Sequence, residues 1–155
     1  MKETIKCSRE ELEAFIGIEA KKNFFSKTLD RYMKNRTKPN WNFGAFFLGP
    51  FYLMYRKCYI PAIIISIAYF SLILLPINLS AILLLIIMII LGLLGTNLYL
   101  RFCEREINIY REYNYMKSEK DFNNLLSTKG GTSFLSATIL YFVFALFMWI
   151  KIFTM

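Results

Sequence analysis

Two patterns of hydrophobic and polar positions divide this chain. Up to about residue 40, charged and apolar residues mix at helical spacing; beyond residue 57, long runs carry no charge. Ser8-Arg9-Glu10-Glu11 has the form of a capping box, which predicts a short helix through Leu12, Phe15 and Ile16, ended or bent by Gly17. A second helix is predicted from about Glu19 to Lys34. It puts Phe25, Leu29, Tyr32 and Met33 near one face, and Lys21, Lys22, Lys27, Arg31 and Lys34 supply much of the rest. That stripe suits a partner helix, a lipid surface or the inside of a self-packed helical pair. Arg36 to Asn40 reads as a loop.

The stretch from Trp41 to Tyr59 joins the two patterns. It is apolar and aromatic, is broken by Gly49-Pro50, and carries Arg56-Lys57 near its end. Its uncharged part, Pro39 to Tyr55, barely approaches the roughly 20 residues that cross a bilayer core. Proline also withholds a helical hydrogen bond and disfavours helix in the residue before it. Two short helices are predicted, lying in the interface or dipping in and returning, with Pro50 first in the second.

No charged residue occurs between Lys57 and Arg101, and Pro76-Ile77-Asn78-Leu79-Ser80 divides that run with turn residues. The pattern predicts spans from about Tyr59 to Leu75 and Leu79 to Leu100, joined as an antiparallel hairpin. Pro61 falls in the first turn, where its missing donor costs little. From Arg101 the helix is expected to continue into water, with a stripe of Phe102, Glu106, Ile109, Tyr113 and Met116. Ser118-Glu119-Lys120-Asp121 reads as a fresh cap leading to Phe122, Leu125 and Leu126, and Gly130-Gly131 as a flexible break. A third span is predicted from about Ser133 to Ile150.

The expected fold is therefore an all-α integral membrane protein with three transmembrane helices, an amino-terminal cytosolic helical region and an interfacial or re-entrant helix pair. Residues 1–40 form the cytosolic amphipathic helices and 41–59 the interfacial motif. Residues 60–100 form the transmembrane helical hairpin, 101–132 a cytosolic helical loop, and 133–155 the third transmembrane helix with a short outer tail.

Composition agrees. The chain is 56% hydrophobic and 17% aromatic with a mean hydropathy of +0.40, above the roughly 45–50% apolar content of soluble domains. A net charge of +8 raises the question of nucleic acid. Twelve of the nineteen Lys and Arg lie in the first 57 residues, six in 101–129 and one at Lys151. Beside uncharged spans, attraction to anionic lipid headgroups and retention in the cytoplasm account for them better, and no nucleic-acid partner is expected. The positive-inside rule puts the amino terminus and the 101–129 loop in the cytoplasm and the carboxyl tail outside. Met1 to Asn40 holds no long apolar core, so no secretory signal is expected and an internal, uncleaved segment directs insertion.

The interface candidates are Trp41, Tyr52, Tyr55, Arg56, Lys57 and Tyr59, whose polar-edged rings and long basic stems suit the headgroup level. Asn97 is the intramembrane polar candidate, able to bridge helices, bond a freed carbonyl or meet a ligand. Cys7, Cys58 and Cys103 have no metal-ligand or redox spacing, and there is no histidine for a zinc site or a Ser-His-Asp set. Lys129-Gly130-Gly131-Thr132 has the wrong order for a phosphate loop. No catalytic, cofactor-binding or metal site is predicted. The spans lack charged interiors, which disfavours an ion-coupled carrier.

Trp41-Asn42, Ala45-Phe46-Phe47, Gly49-Pro50 and Tyr55-Arg56-Lys57-x-Tyr59 together resemble a family of small bacterial membrane proteins known only as an uncharacterised domain family, DUF 2628. Phe15-Ile16-Gly17 matches the family's F-I-G, and Gly95, Asn97 and Tyr99 its G-x-N-x-Y. Phe24-Phe25 stands where a Tyr pair is usual, and Phe51 or Tyr52 in place of the motif's second Trp. The similarity covers about residues 11–110. It implies a multi-pass protein of the bacterial cytoplasmic (inner) membrane and no known activity. Three functional classes follow. The first is a membrane-anchored interaction or regulatory protein with a membrane or cytosolic partner. The second is a subunit of a small oligomeric pore or transporter, built as a homo-oligomer. The third, and weakest, is a membrane-bound enzyme.

Overall fold

The computed structural model describes residues 7–73, 75–113 and 118–154, and all regular structure among them is helical. Residues 1–6 of the predicted cytosolic region, Leu74 of the first predicted span and Met116 of the predicted stripe lie outside the described residues. The helices are α1 (Arg9–Ile16), α2 (Asn23–Lys34), α3 (Phe43–Leu48), α4 (Pro50–Tyr55), α5 (Tyr59–Ile73), α6 (Ile77–Tyr113), α7 (Glu119–Lys129) and α8 (Phe134–Thr154), with a 3-10 turn at Gly17–Lys21. The chain forms two discontinuous units, Met1–Trp41 with Leu93–Gly131, and Asn42–Gly92 with Thr132–Met155. α6 contributes to both.

Local chemistry starts and stops the helices of the first unit. Ser8 Oγ accepts the Glu11 amide at 3.2 Å and Glu11 Oε2 accepts the Ser8 amide at 2.7 Å, a complete capping box for α1. Gly17, at φ 78°, ends that helix. Ser118 caps α7 through the Asp121 amide. Leu12, Phe15 and Ile16 of α1 are buried, as are Phe122 and Leu126 of α7, and α1 packs on α7. α2 buries Phe25, Thr28, Leu29 and Tyr32, with Phe25 edge-on to Tyr99 at 6.2 Å. Of the uses open to the α2 stripe, packing within its own protein takes these residues, and only Met33 stays exposed.

α6 differs from the expected stripe along its carboxyl-terminal half. The buried positions are Thr96, Tyr99, Leu100, Cys103 and Ile107, whereas Tyr113 is 83% exposed. The 102/106/109/113 stripe and the 96/100/103/107 stripe both have helical spacing, and the partner helices select the second. Charged side chains lock this surface. Arg111 donates to Glu11 at 2.5 Å and to Asn108 at 2.7 Å; Arg36 pairs with Glu104 at 3.0 Å, and Tyr32 Oη donates to Glu104 at 2.9 Å. Burial and the neighbouring Glu104 carboxylate both push the Tyr32 hydroxyl well above its ordinary pKa. Burial, the largest effect, likewise holds the Cys7 thiol up at about 11, so it stays protonated and poorly nucleophilic near neutrality.

The second unit leaves its apolar surface outward. Ile60, Ile63, Ile64 and Ile67 of α5, Ile82 and Leu85 of α6, and Phe134, Phe142, Leu146 and Trp149 of α8 are all exposed. Its interior is aromatic: Phe70 of α5 stacks on Phe144 of α8 at 4.2 Å, and Phe51 of α4 meets Phe144 at 5.1 Å. Two stretches, Ile77–Tyr113 and Glu119–Lys151, contain helix long and apolar enough to cross a membrane, the apolar part of the second being α8. The three expected spans are thus matched by two of full length; α5 has 15 residues and falls short of that length. Its start is fixed by the chain reversal after α4, and Pro76 breaks the apolar run ahead of α6.

Candidate functional site

The aromatic motif folds into a helix–break–helix that belongs, from Asn42 on, to the second unit. Asn42 uses its whole amide. Its Oδ1 accepts the Ala45 amide at 3.1 Å and caps α3, while its Nδ2 donates to Tyr52 Oη at 2.8 Å on α4. Its backbone N–H donates to the Gly92 carbonyl of α6 at 2.8 Å. One side chain therefore folds the motif back on itself while the backbone pins it to a helix interior.

Gly49 makes the break with φ 51° and ψ −122°, and Pro50 opens α4 at its first position. Tyr69 of α5 lies hard against Gly49; a Cβ there would meet Tyr69 Oη at 2.7 Å. α4 ends in a Schellman motif, in which the Lys57 amide reaches the Met54 carbonyl at 3.0 Å and the Cys58 amide the Leu53 carbonyl at 2.9 Å. The Tyr55 carbonyl, and the Met54 carbonyl a second time, take partners from the start of α8. Ser133 N–H donates to Tyr55 O at 2.8 Å, and Ser136 Oγ donates to Met54 O at 3.0 Å. The end of α4 is thus satisfied inside the unit.

The Schellman position normally holds glycine, yet Lys57 occupies it with φ 59°. A non-glycine residue there costs about 1 kcal/mol. Lys57→Gly is expected to stabilise the protein by about 0.5–1 kcal/mol in reversible unfolding in detergent, the gain trimmed by glycine's freer unfolded chain. A loss of stability would mean that the lysine side chain repays the strain through its own contacts.

Arg56 is only 4% exposed, with its guanidinium carbon 5.5 Å from the Tyr52 ring centre and 5.6 Å from that of Tyr55. Aromatic faces attract a cation most strongly where water is excluded. Of the interface candidates, Tyr52, Tyr55 and Arg56 therefore come together. Tyr52 and Arg56 are inside the unit, Tyr55 and Lys57 are half-buried, and Tyr59 is exposed. Trp41 is half-buried and belongs to the first unit. Asn97, also in the first unit and 7% exposed, donates from Nδ2 to the Lys38 carbonyl at 2.9 Å, tying down the loop before the motif. Sequence reasoning does not single out Tyr69, and it reads Ser133 only as the start of the third span and Glu104 only as a charge on a solvated helix. Tyr69 and Ser133 act by closing gaps against backbone, for which the local pattern has no signature; Glu104 sits among arginines and reads as a solvated charge.

This geometry holds a cation among rings and satisfies the backbone at the end of α4. The family model described as "Protein of unknown function (DUF2628)" matches residues 7–105, taking in the motif, the helices before it and most of α6. No curated protein and no solved structure matches the chain.

Proposed function

We propose, from the premise that this chain belongs to the DUF2628 family, that it is a membrane-anchored interaction or regulatory protein of the bacterial cytoplasmic membrane, with three crossings and a helical unit in the cytoplasm. The observation that carries the topology is the shared core of the first unit. Residues 9–34 and 96–131 bury Leu12, Leu29, Tyr99, Ile107 and Leu126 completely or nearly so and join through Arg111–Glu11 and Arg36–Glu104. Two segments of one packed unit lie on one side of a membrane, so an even number of crossings separates them. α6 supplies one. α5 is the apolar helix that supplies the other, and the exposed isoleucines along it suit lipid. α8 then carries the carboxyl end to the opposite face. The lysines and arginines concentrated on the first unit favour the cytoplasm for it.

The interaction reading rests on what that unit leaves outside. Its apolar stripe is used internally, while Lys21, Lys22, Lys27, Arg31 and Lys34 are exposed along one short stretch. Such a surface suits an acidic protein partner or anionic headgroups. The test is purification in gentle detergent at native expression, at low and high salt. A distinct partner chain retained at about 0.1 M salt and lost at about 0.5 M supports the reading, because screening shortens the reach of exposed charge. A discrete homo-oligomer with no other chain, unmoved by salt, favours the pore or transporter subunit instead.

A further inference from the structure

Resting on the three-crossing reading, we infer that this protein fits a bilayer thinner than average and prefers phospholipids with shorter acyl chains. α5 has 15 residues, a length of about 22 Å. Even the whole apolar run from Tyr59 to Leu75 reaches only about 25 Å, against a typical hydrocarbon core of about 30 Å. α8 is longer, 21 residues or about 31 Å, so α5 is the short element of the unit. It opens at Phe134, directly after the serine that closes α4, and its exposed Trp149 stands about 22 Å further on, followed by Lys151.

The ends of α5 cannot be extended cheaply. At one end stands Lys57 in a left-handed turn behind buried Arg56; at the other, Pro76. Sinking the arginine end deeper would carry a guanidinium and its turn toward hydrocarbon. A span longer than the bilayer tilts, whereas a span shorter than it draws the lipid in, snorkels its flanking residues or associates with other spans. α6, with 37 residues, can adapt by tilt; α5 cannot, so the short helix sets the thickness. The lipid-facing surface is ready for that role: Ile60, Ile63, Ile64 and Ile67 are all exposed.

The experiment is reconstitution of the full chain into phosphatidylcholine vesicles with monounsaturated chains of fourteen to twenty-two carbons. In a Trp41→Phe background, quenching of the exposed Trp149 by brominated lipid of each length reads out relative association. The expected result is a preference of about threefold for sixteen-carbon over twenty-carbon chains, since each ångström of mismatch carries a modest cost. Equal quenching across the series, or a preference for twenty carbons, overturns the inference. Retention without quenching at any length also overturns it, because another copy then covers the face. Carbonate extraction separates this from the underlying reading: release from vesicles of every length means that the chain does not span at all.

Discussion

Gly130→Ala is expected to destabilise the protein by about 3 kcal/mol or more. Gly130 follows α7, and a Cβ on it would lie 1.9 Å from the Phe15 carbonyl oxygen and 2.7 Å from its carbon. These are backbone atoms at the end of α1, so no side chain can rotate aside. The helices must separate, and the penalty includes the hydrogen bond from Gly131 N–H to Phe15 O, now 2.7 Å, and part of the burial of Phe122 and Leu126. Gly130 itself has φ −79°, outside the left-handed region, so the main effect is one of space. Gly131 makes the natural control: its φ is +80°, but nothing lies within 4 Å of an added Cβ. Gly131→Ala is expected to cost about 1 kcal/mol, the price of a left-handed alanine. Thermal or denaturant unfolding of both variants in one detergent gives the order. If Gly131→Ala proves the more damaging, the two backbones do not meet as described.

Gly49→Ala is expected to cost about 2 kcal/mol, from two causes that can be separated. The backbone at φ 51° and ψ −122° is strained for any L side chain, and the new methyl would press on Tyr69 Oη. Removing that hydroxyl relieves the second cause only. Tyr69→Phe in the Gly49→Ala background should therefore recover about 1 kcal/mol, measured as a double-mutant cycle. Full recovery would assign the whole cost to crowding and none to the backbone; no recovery would mean that α5 does not pack against the break.

These two glycines show where the sequence was informative. Glycine at 49 is legible because proline follows it, and the pair announces a helix break from local chemistry alone. The same holds for Ser8 with Glu11, for Gly17 and for Ser118, each of which acts within a few residues of itself. Gly130 reads as a flexible break, yet its role is close approach to a backbone more than a hundred residues earlier. Distance along the chain hid the α6 face as well. Cys103 and Ile107 offer the same helical spacing as Phe102 and Glu106, and only the packed neighbours decide between them. Within the motif, Pro50 was legible as a helix-starting residue, and the capping role of Asn42 and the internal position of Arg56 were not. A basic residue beside an apolar run reads as a headgroup anchor until the tyrosines that surround it are placed.

The central claim is that the amino-terminal helices and the 101–129 region share one side of a membrane, opposite the Pro76 turn. With Cys7, Cys58 and Cys103 replaced by alanine, single cysteines at Ser26→Cys, Asn78→Cys and Ser118→Cys can be exposed to an impermeant thiol reagent in intact cells. The account predicts labelling at position 78 and protection at positions 26 and 118 until the cells are opened. Labelling at 26 with 118 still protected would place the two halves of one packed unit on opposite faces, and the topology would be wrong.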